Sequence, residues 1–295
     1  MIAVRDCSLT RIAAASTSWL LCCRSDSGCV RLLHLLLANE QGGNRRAAGS
    51  RSCYPSGVVA APRVMGSKKL VVAARAACGV VAGPLFAVAF TAIGARRAGY
   101  DWRRHPVSSL ADGREGWAQR ANFIVVGALY CVAAQGLARS PRRAVGPSVV
   151  PALVGGAGVG LIGSGLFVTD PVPGFPPPSA RVQDAVDGTP SVAARTTGGK
   201  LHNLCAIPVF AGIPAAALIC AGSATRSGEY RWAAYSAGSA VVMAGAFLLV
   251  LGAAVGGGVP RLAGRGGVFQ RISIASGFGW LSALSLRALT SPRHG

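Results

Sequence analysis

From residue 70 onward the chain alternates long apolar runs with short polar breaks. Six runs stand out: 70–95, 121–138, 148–169, 201–222, 232–255 and 272–290, none containing Asp or Glu. At about 1.5 Å per residue, runs of about 18–26 residues rise roughly 27–39 Å, enough to cross a hydrocarbon core with some tilt. Peptide groups in lipid must bond within their own segment, so each run is expected to be a helix. The predicted fold is all-α, a six-helix transmembrane bundle. Arg75 and Arg287 lie near span ends, where a long side chain reaches the interface. Pro84, Pro208 and Pro214 remove backbone donors inside spans and are expected to kink them. Small residues recur every four positions: Gly79 and Gly83; Ala152, Gly156, Gly160 and Ser164; Ser273 and Gly277. Such ridges let helices approach closely.

Residues 1–64 lack this pattern. They mix Ser, Arg and Cys with short apolar stretches, the longest uncharged one being the 12 residues from Ile12 to Cys23. That is too short to cross a bilayer, which takes about 20 residues. Met65-Gly66-Ser67-Lys68-Lys69 then leads directly into the first span. The expectation is a six-span membrane domain over 65–295, with Met65 as its start and 1–64 as a disordered or misannotated extension.

Composition agrees with a membrane chain: 51% apolar, only 14% charged, mean hydropathy +0.45, against about 25% charge in a soluble domain. The net charge is +20, and of 30 basic side chains only Lys68, Lys69 and Lys200 are lysine. Such a balance raises the question of nucleic acid. The arginines, however, fall in short blocks between apolar runs, as flanking charge that sets topology and meets anionic lipid. Membrane lipid is therefore the expected partner, and nucleic acid is not. The basic pair before span one points to a multi-pass protein of the cell membrane with both termini cytoplasmic. Nine cysteines show no CxxC spacing, which removes zinc-ribbon and thioredoxin readings. The sequence names no cofactor, protein partner or oligomeric state.

In such a bundle the first, third and fifth loops share one membrane face. The first carries Tyr100-Asp101-Trp102-Arg103-Arg104-His105-Pro106-Val107-Ser108-Ser109-Leu110 and runs on to Trp117 through Phe123. The third carries Asp170-Pro171, Gly174 and Pro176 to Pro178, then Gly199-Lys200-Leu201-His202-Asn203, and the fifth ends at Phe269-Gln270-Arg271. His105, Ser108, Asp170, His202 and Gln270 can thus converge. The even loops hold little beyond Arg, Ser and one Glu.

These motifs, taken as a set over about residues 70–290, resemble the bacterial integral-membrane family called domain of unknown function 998. The resemblance implies a six-span helical bundle and no particular reaction. The proline-rich 171–178 stretch and the long 179–198 insert depart from the family's spacing.

Four readings of the polar set follow. It can be a structural cluster that seals one end of the bundle and contacts lipid or another protein, which asks least of the residues. It can be a membrane-embedded lipid hydrolase or transferase, with Ser108 or Ser109 as nucleophile, His105 or His202 as base and Asp170 orienting the base; no Gly-x-Ser-x-Gly elbow is present. It can hold a metal through His105, His202 and Asp170, for a metal-dependent hydrolase, although no HxxxH or HExxH spacing occurs. It can also belong to an uncoupled channel or lipid transporter, since no span carries the mid-membrane ionisable group that a proton-driven pump needs.

Overall fold

The computed structural model describes residues 67–176, 196–254 and 264–291. By contact the chain divides into Met1–Pro62 and Arg63–Gly295, and the described residues belong to the second unit. The expectations for residues 1–64 and for Met65 concern residues outside those described.

The apolar runs are helices. Helix α1 is Ser67–Arg96 and α2 is Trp117–Ala138, with a short α3, Arg142–Val145, in the second loop. Then come α4, Val149–Leu166; α5, Thr197–Phe210; α6, Gly212–Arg226; α7, Tyr230–Ala254; and α8, Gly266–Thr290. Among the described residues six stretches are long and apolar enough to cross a membrane, with α5 and α6 forming one of them. Among the described residues the only β feature is an isolated Val172–Phe175 bridge.

The spans form a closed ring. Each packs mainly on its sequence neighbours, and α8 returns to pack on α1. Aromatic side chains fill much of the interior. Phe86 sits 5.3–5.5 Å, centroid to centroid, from Phe90, Phe123 and Phe278, and Tyr130 meets Phe278 edge-on at 5.4 Å. Trp280, fully buried, donates to Ser236 Oγ at 3.0 Å.

Span four breaks at Ala211, between Pro208 and Pro214. Proline has no N–H to return to the carbonyl four residues earlier, and its ring crowds that carbonyl. The break separates α5 from the line of α6. As a result α7 packs along α6 far more extensively than along α5. Pro84, by contrast, lies within an uninterrupted α1.

Several helix ends differ from the expected run ends: α2 starts at Trp117 rather than Ala121, and span four runs from Thr197 to Arg226 rather than from Leu201 to Gly222. Span three stops at Leu166, not Thr169, with Phe167 already extended. Span six begins at Gly266, not Ile272. A charge-free window stops at Arg271, but the helix runs a turn and a half further because loop one receives its first amides. Gly267 and Val268 N–H donate to the carbonyls of Arg104 and Arg103, each at 3.1 Å.

The small-residue ridges are used unevenly. Gly79 and Gly83 lie against Ser285, Ser282 and Phe278 of α8, and Gly160 lies against Cys205 of α5. The tightest α2–α4 approach is one the four-residue spacing did not pick out. A Cβ on Gly127 would lie 2.5 Å from the Gly158 carbonyl oxygen, and one on Gly158 would lie 2.7 Å from that of Gly127. Gly156 meets nothing within 4 Å. Gly158→Ala is therefore expected to cost about 1–3 kcal/mol through overpacking and to lower the melting temperature in detergent, while Gly156→Ala leaves it unchanged. Equal melting temperatures for the two variants would contradict the assigned α2–α4 contact.

Candidate functional site

Loop one is folded down onto the start of α8. The Asp101 carboxylate accepts the Arg103 N–H at 2.8 Å, and the Asp101 carbonyl accepts the N–H groups of Arg104 and His105 at 3.1 and 2.8 Å. This turn presents the Trp102 carbonyl to Arg271 Nη1 at 2.7 Å, while Arg271 Nη2 donates to the Tyr100 hydroxyl at 2.8 Å. The same guanidinium lies 5.5–5.9 Å from the ring centroids of Phe90, Tyr100 and Trp102. Gln270 Oε1 accepts the Val107 N–H at 2.5 Å and so secures the next turn, Val107–Ala111. Loop three joins through Phe175, fully buried, which stacks on His105 at 5.4 Å and meets Tyr100 edge-on at 5.2 Å. The odd loops thus meet at one end of the bundle.

At the opposite end Arg287 plays the matching part. It forms an ion pair with Glu229 and donates to the Ala144 carbonyl at 3.0 Å. Its guanidinium lies 5.1 Å from the Trp232 ring centroid.

The residues singled out from the sequence take different places. His105 is buried within loop one, and its Nδ1 accepts the Asp101 N–H at 2.9 Å. Ser109, also buried, donates to the Pro106 carbonyl at 2.7 Å. Asp170 stands at the head of α5. Its Oδ1 accepts from Thr196 N–H at 3.2 Å and Thr196 Oγ1 at 2.5 Å, and Thr196 Oγ1 caps the helix by accepting the Gly199 N–H at 3.0 Å. A carboxylate there also meets the positive end of the helix dipole. His202 is buried against the end of α4. Its Nδ1–H donates to the carbonyls of Phe167 at 2.8 Å and Ser164 at 3.1 Å. That arrangement leaves the Nε2 lone pair for another partner. Neither histidine has its Nδ1 held by Asp170, and no hydrogen bond joins Ser108 to His202. No group of three His, Cys, Asp or Glu side chains able to hold a metal occurs among the described residues.

What the structure does bring together is Ser108, His202 and Gln270, on the wall of one cavity of about 650 Å³. Phe86, Phe123, Leu161, Phe247 and Phe278 supply apolar wall from five spans, and its polar end also includes Thr169, Lys200 and Asn203. His105, Ser109 and Asp170 are not on that wall. They hold the loops and helix head that shape it. Leu204, Ile207 and Leu251 line the cavity and are also exposed on the outside of the bundle, which marks the α5–α7 seam as a lateral mouth.

The sequence motif Gly199-Lys200-Leu201-His202-Asn203 assigns no role to Lys200 or Asn203, and Thr169 stands only as the last residue of the third run. The signal was present: polar residues at 200, 202 and 203 open an otherwise apolar run. The charge of Lys200 makes the apolar run start at Leu201, whereas α5 begins at Thr197.

The fold and its site define a polytopic helical membrane protein with a cavity inside its ring of spans. The chain belongs to the family described as "Protein of unknown function (DUF998)", whose model matches residues 80–287. No curated protein and no solved structure matches it.

Burial holds the His105 pKa below its ordinary value; Arg104 acts in the same direction and Asp101 against both. The folded chain therefore takes up this proton at lower pH than the unfolded chain. Its contribution to stability is complete above the unfolded value of about 6.5 and is lost as the pH falls below that toward the folded value. His105→Asn retains an acceptor for the Asp101 N–H and does not titrate. The wild type is expected to lose more melting temperature than this variant between pH 7.5 and pH 5. Parallel pH profiles would show that His105 contributes nothing.

Proposed function

We propose that the protein binds a single-chain amphiphile drawn from the bilayer, with the apolar chain between the helices and the polar head at the odd-loop face. The observation that carries this reading is the cavity. Its volume of about 650 Å³ falls in the range of about 300–1,000 Å³ typical of small-molecule sites, which pair apolar walls with a few placed polar groups. The mouth between α5 and α7 opens toward lipid, so a chain enters sideways without crossing water. The role is lipid contact in the cell membrane, with the even loops and both termini cytoplasmic. The Lys68-Lys69 pair directly before span one supports that orientation, since basic residues beside a span stay on the cytoplasmic side.

A second reading is acyl transfer or hydrolysis on the bound lipid, favoured by Ser108 and His202 sharing the cavity. Ser108 would be the nucleophile and His202 Nε2 the base, with His105 and Asp170 positioning loop one and the head of α5. In that case Ser108→Ala abolishes turnover of a bound ester while leaving its binding intact.

Ala206 lies on the cavity wall, and Ala206→Trp fills the space from within α5. Spin-labelled single-chain probes, one a fatty acid and one a fatty alcohol, are expected to show an immobilised component with the wild type in neutral detergent. With Ala206→Trp that component is expected to vanish at little cost in melting temperature. Immobilisation that persists in the variant would place the chain elsewhere and sink the reading.

A further inference from the structure

The polar end of the cavity is uneven in what it offers. Gln270 is more than nine-tenths buried, and its Oε1 is occupied by the Val107 N–H. What it turns to the cavity is therefore its NH₂, a donor. Lys200 brings an ammonium with no hydrogen bond or ion pair among the described residues, and Asn203 is a further lining amide. Ser108 and Thr169 add hydroxyls. Among the described residues no carboxylate lies on the wall; Asp170 accepts from Thr196 at the head of α5.

One wall group is fixed as an acceptor. His202, also more than nine-tenths buried, commits Nδ1–H to the Ser164 and Phe167 carbonyls. Its Nε2 has no partner among the described residues and can accept one acidic proton. A headgroup that fits this set has one proton to share with an imidazole and a second oxygen to accept from an amide NH₂ and an ammonium.

A neutral hydroxyl meets only the first demand and leaves the ammonium unpaired. A quaternary ammonium meets neither and repels Lys200. A carboxyl group meets both, because its proton lies between oxygen and Nε2 whichever atom holds it. Charge-assisted hydrogen bonds of this kind are about twice as strong as neutral ones, and they gain further where water is excluded.

Building on the lipid-binding reading above, the geometry points to a long-chain carboxylic acid as the cavity's ligand, with Lys200, His202 and Gln270 as the groups that select its head. Lys200 is exposed, so it can be changed without disturbing the core.

The test compares probes of one chain length: a fatty acid, the corresponding alcohol, the alkylammonium and the monoalkyl phosphate. Each competes for the spin-labelled chain on the intact protein in neutral detergent at fixed salt. For the wild type the acid is expected to compete about tenfold better than the alcohol, the scale of one charge-assisted contact. In Lys200→Gln that ratio is expected to fall to within about twofold, and in Lys200→Glu the alkylammonium should outcompete the acid. Melting temperatures check that both variants fold.

Equal competition by acid and alcohol, unaffected by either variant, would overturn the carboxylate assignment and leave the lipid-binding reading standing. A monoalkyl phosphate stronger than the acid would overturn the assignment in favour of another anion. If no probe competes and the labelled chain is never immobilised, the lipid-binding reading itself fails.

Discussion

In the interior of a bilayer no water is available to satisfy a polar group, and an unpaired amide or hydroxyl there costs several kcal/mol by order of magnitude. That constraint organises the odd-loop end of this protein. Loop one is short of regular structure yet pressed against the helices, so its carbonyls and amides must find partners in the protein. They find them in the first turns of α8: the Gly267 and Val268 amides, the Gln270 carboxamide and the Arg271 guanidinium. A helix N-terminus with four unpaired donors and a loop with unpaired carbonyls satisfy each other.

Helix α8 is held in the same manner at both ends. Arg271 pins loop one, and Arg287 pins the second and fourth loops through the Ala144 carbonyl and Glu229. The two arginines are sixteen residues apart, a rise of about 24 Å along the helix, so each lies near one edge of the hydrocarbon layer. Both spread their guanidinium over aromatic rings, which lets a charge sit at the interface without full hydration. The closed ring leaves space where α5 diverges from α7 at the Ala211 break, and the cavity occupies it. The polar groups there without a partner among the described residues, the Gln270 NH₂ and His202 Nε2, are those that a ligand can reach.

The spans and the grouping of the odd loops were legible because hydropathy is a summed property. A run of twenty apolar residues can hardly be anything else, and helices of alternating direction must send alternate loops to the same side. Helix ends were less legible. Gln270, Arg271 and Lys200 look like loop by their polarity, but they lie in the opening turns of α8 and α5; in α8 the first amides are paired by the distant Arg103 and Arg104 carbonyls, and a linear sequence does not show that pairing. Close contacts were partly hidden too: Gly127 and Gly158 meet because of their rotation about α2 and α4, not because of a four-residue repeat. The candidate residues divided for a related reason. His105 and Asp170 carry groups suited to chemistry, but the backbone N–H groups of Asp101 and Thr196 claim them, whereas Ser108 and His202 keep an atom for the cavity.

All of this depends on the odd and even loops lying across a membrane from one another. Single cysteines at Glu115, in loop one, and Ser227, in loop four, placed in an otherwise cysteine-free protein, can be exposed to a membrane-impermeant maleimide on sealed vesicles of known orientation. Both positions are exposed. Labelling of the two cysteines from opposite sides is the predicted result. Labelling of both from the same side would contradict the six-span arrangement and, with it, the shared face on which the cavity's polar end depends.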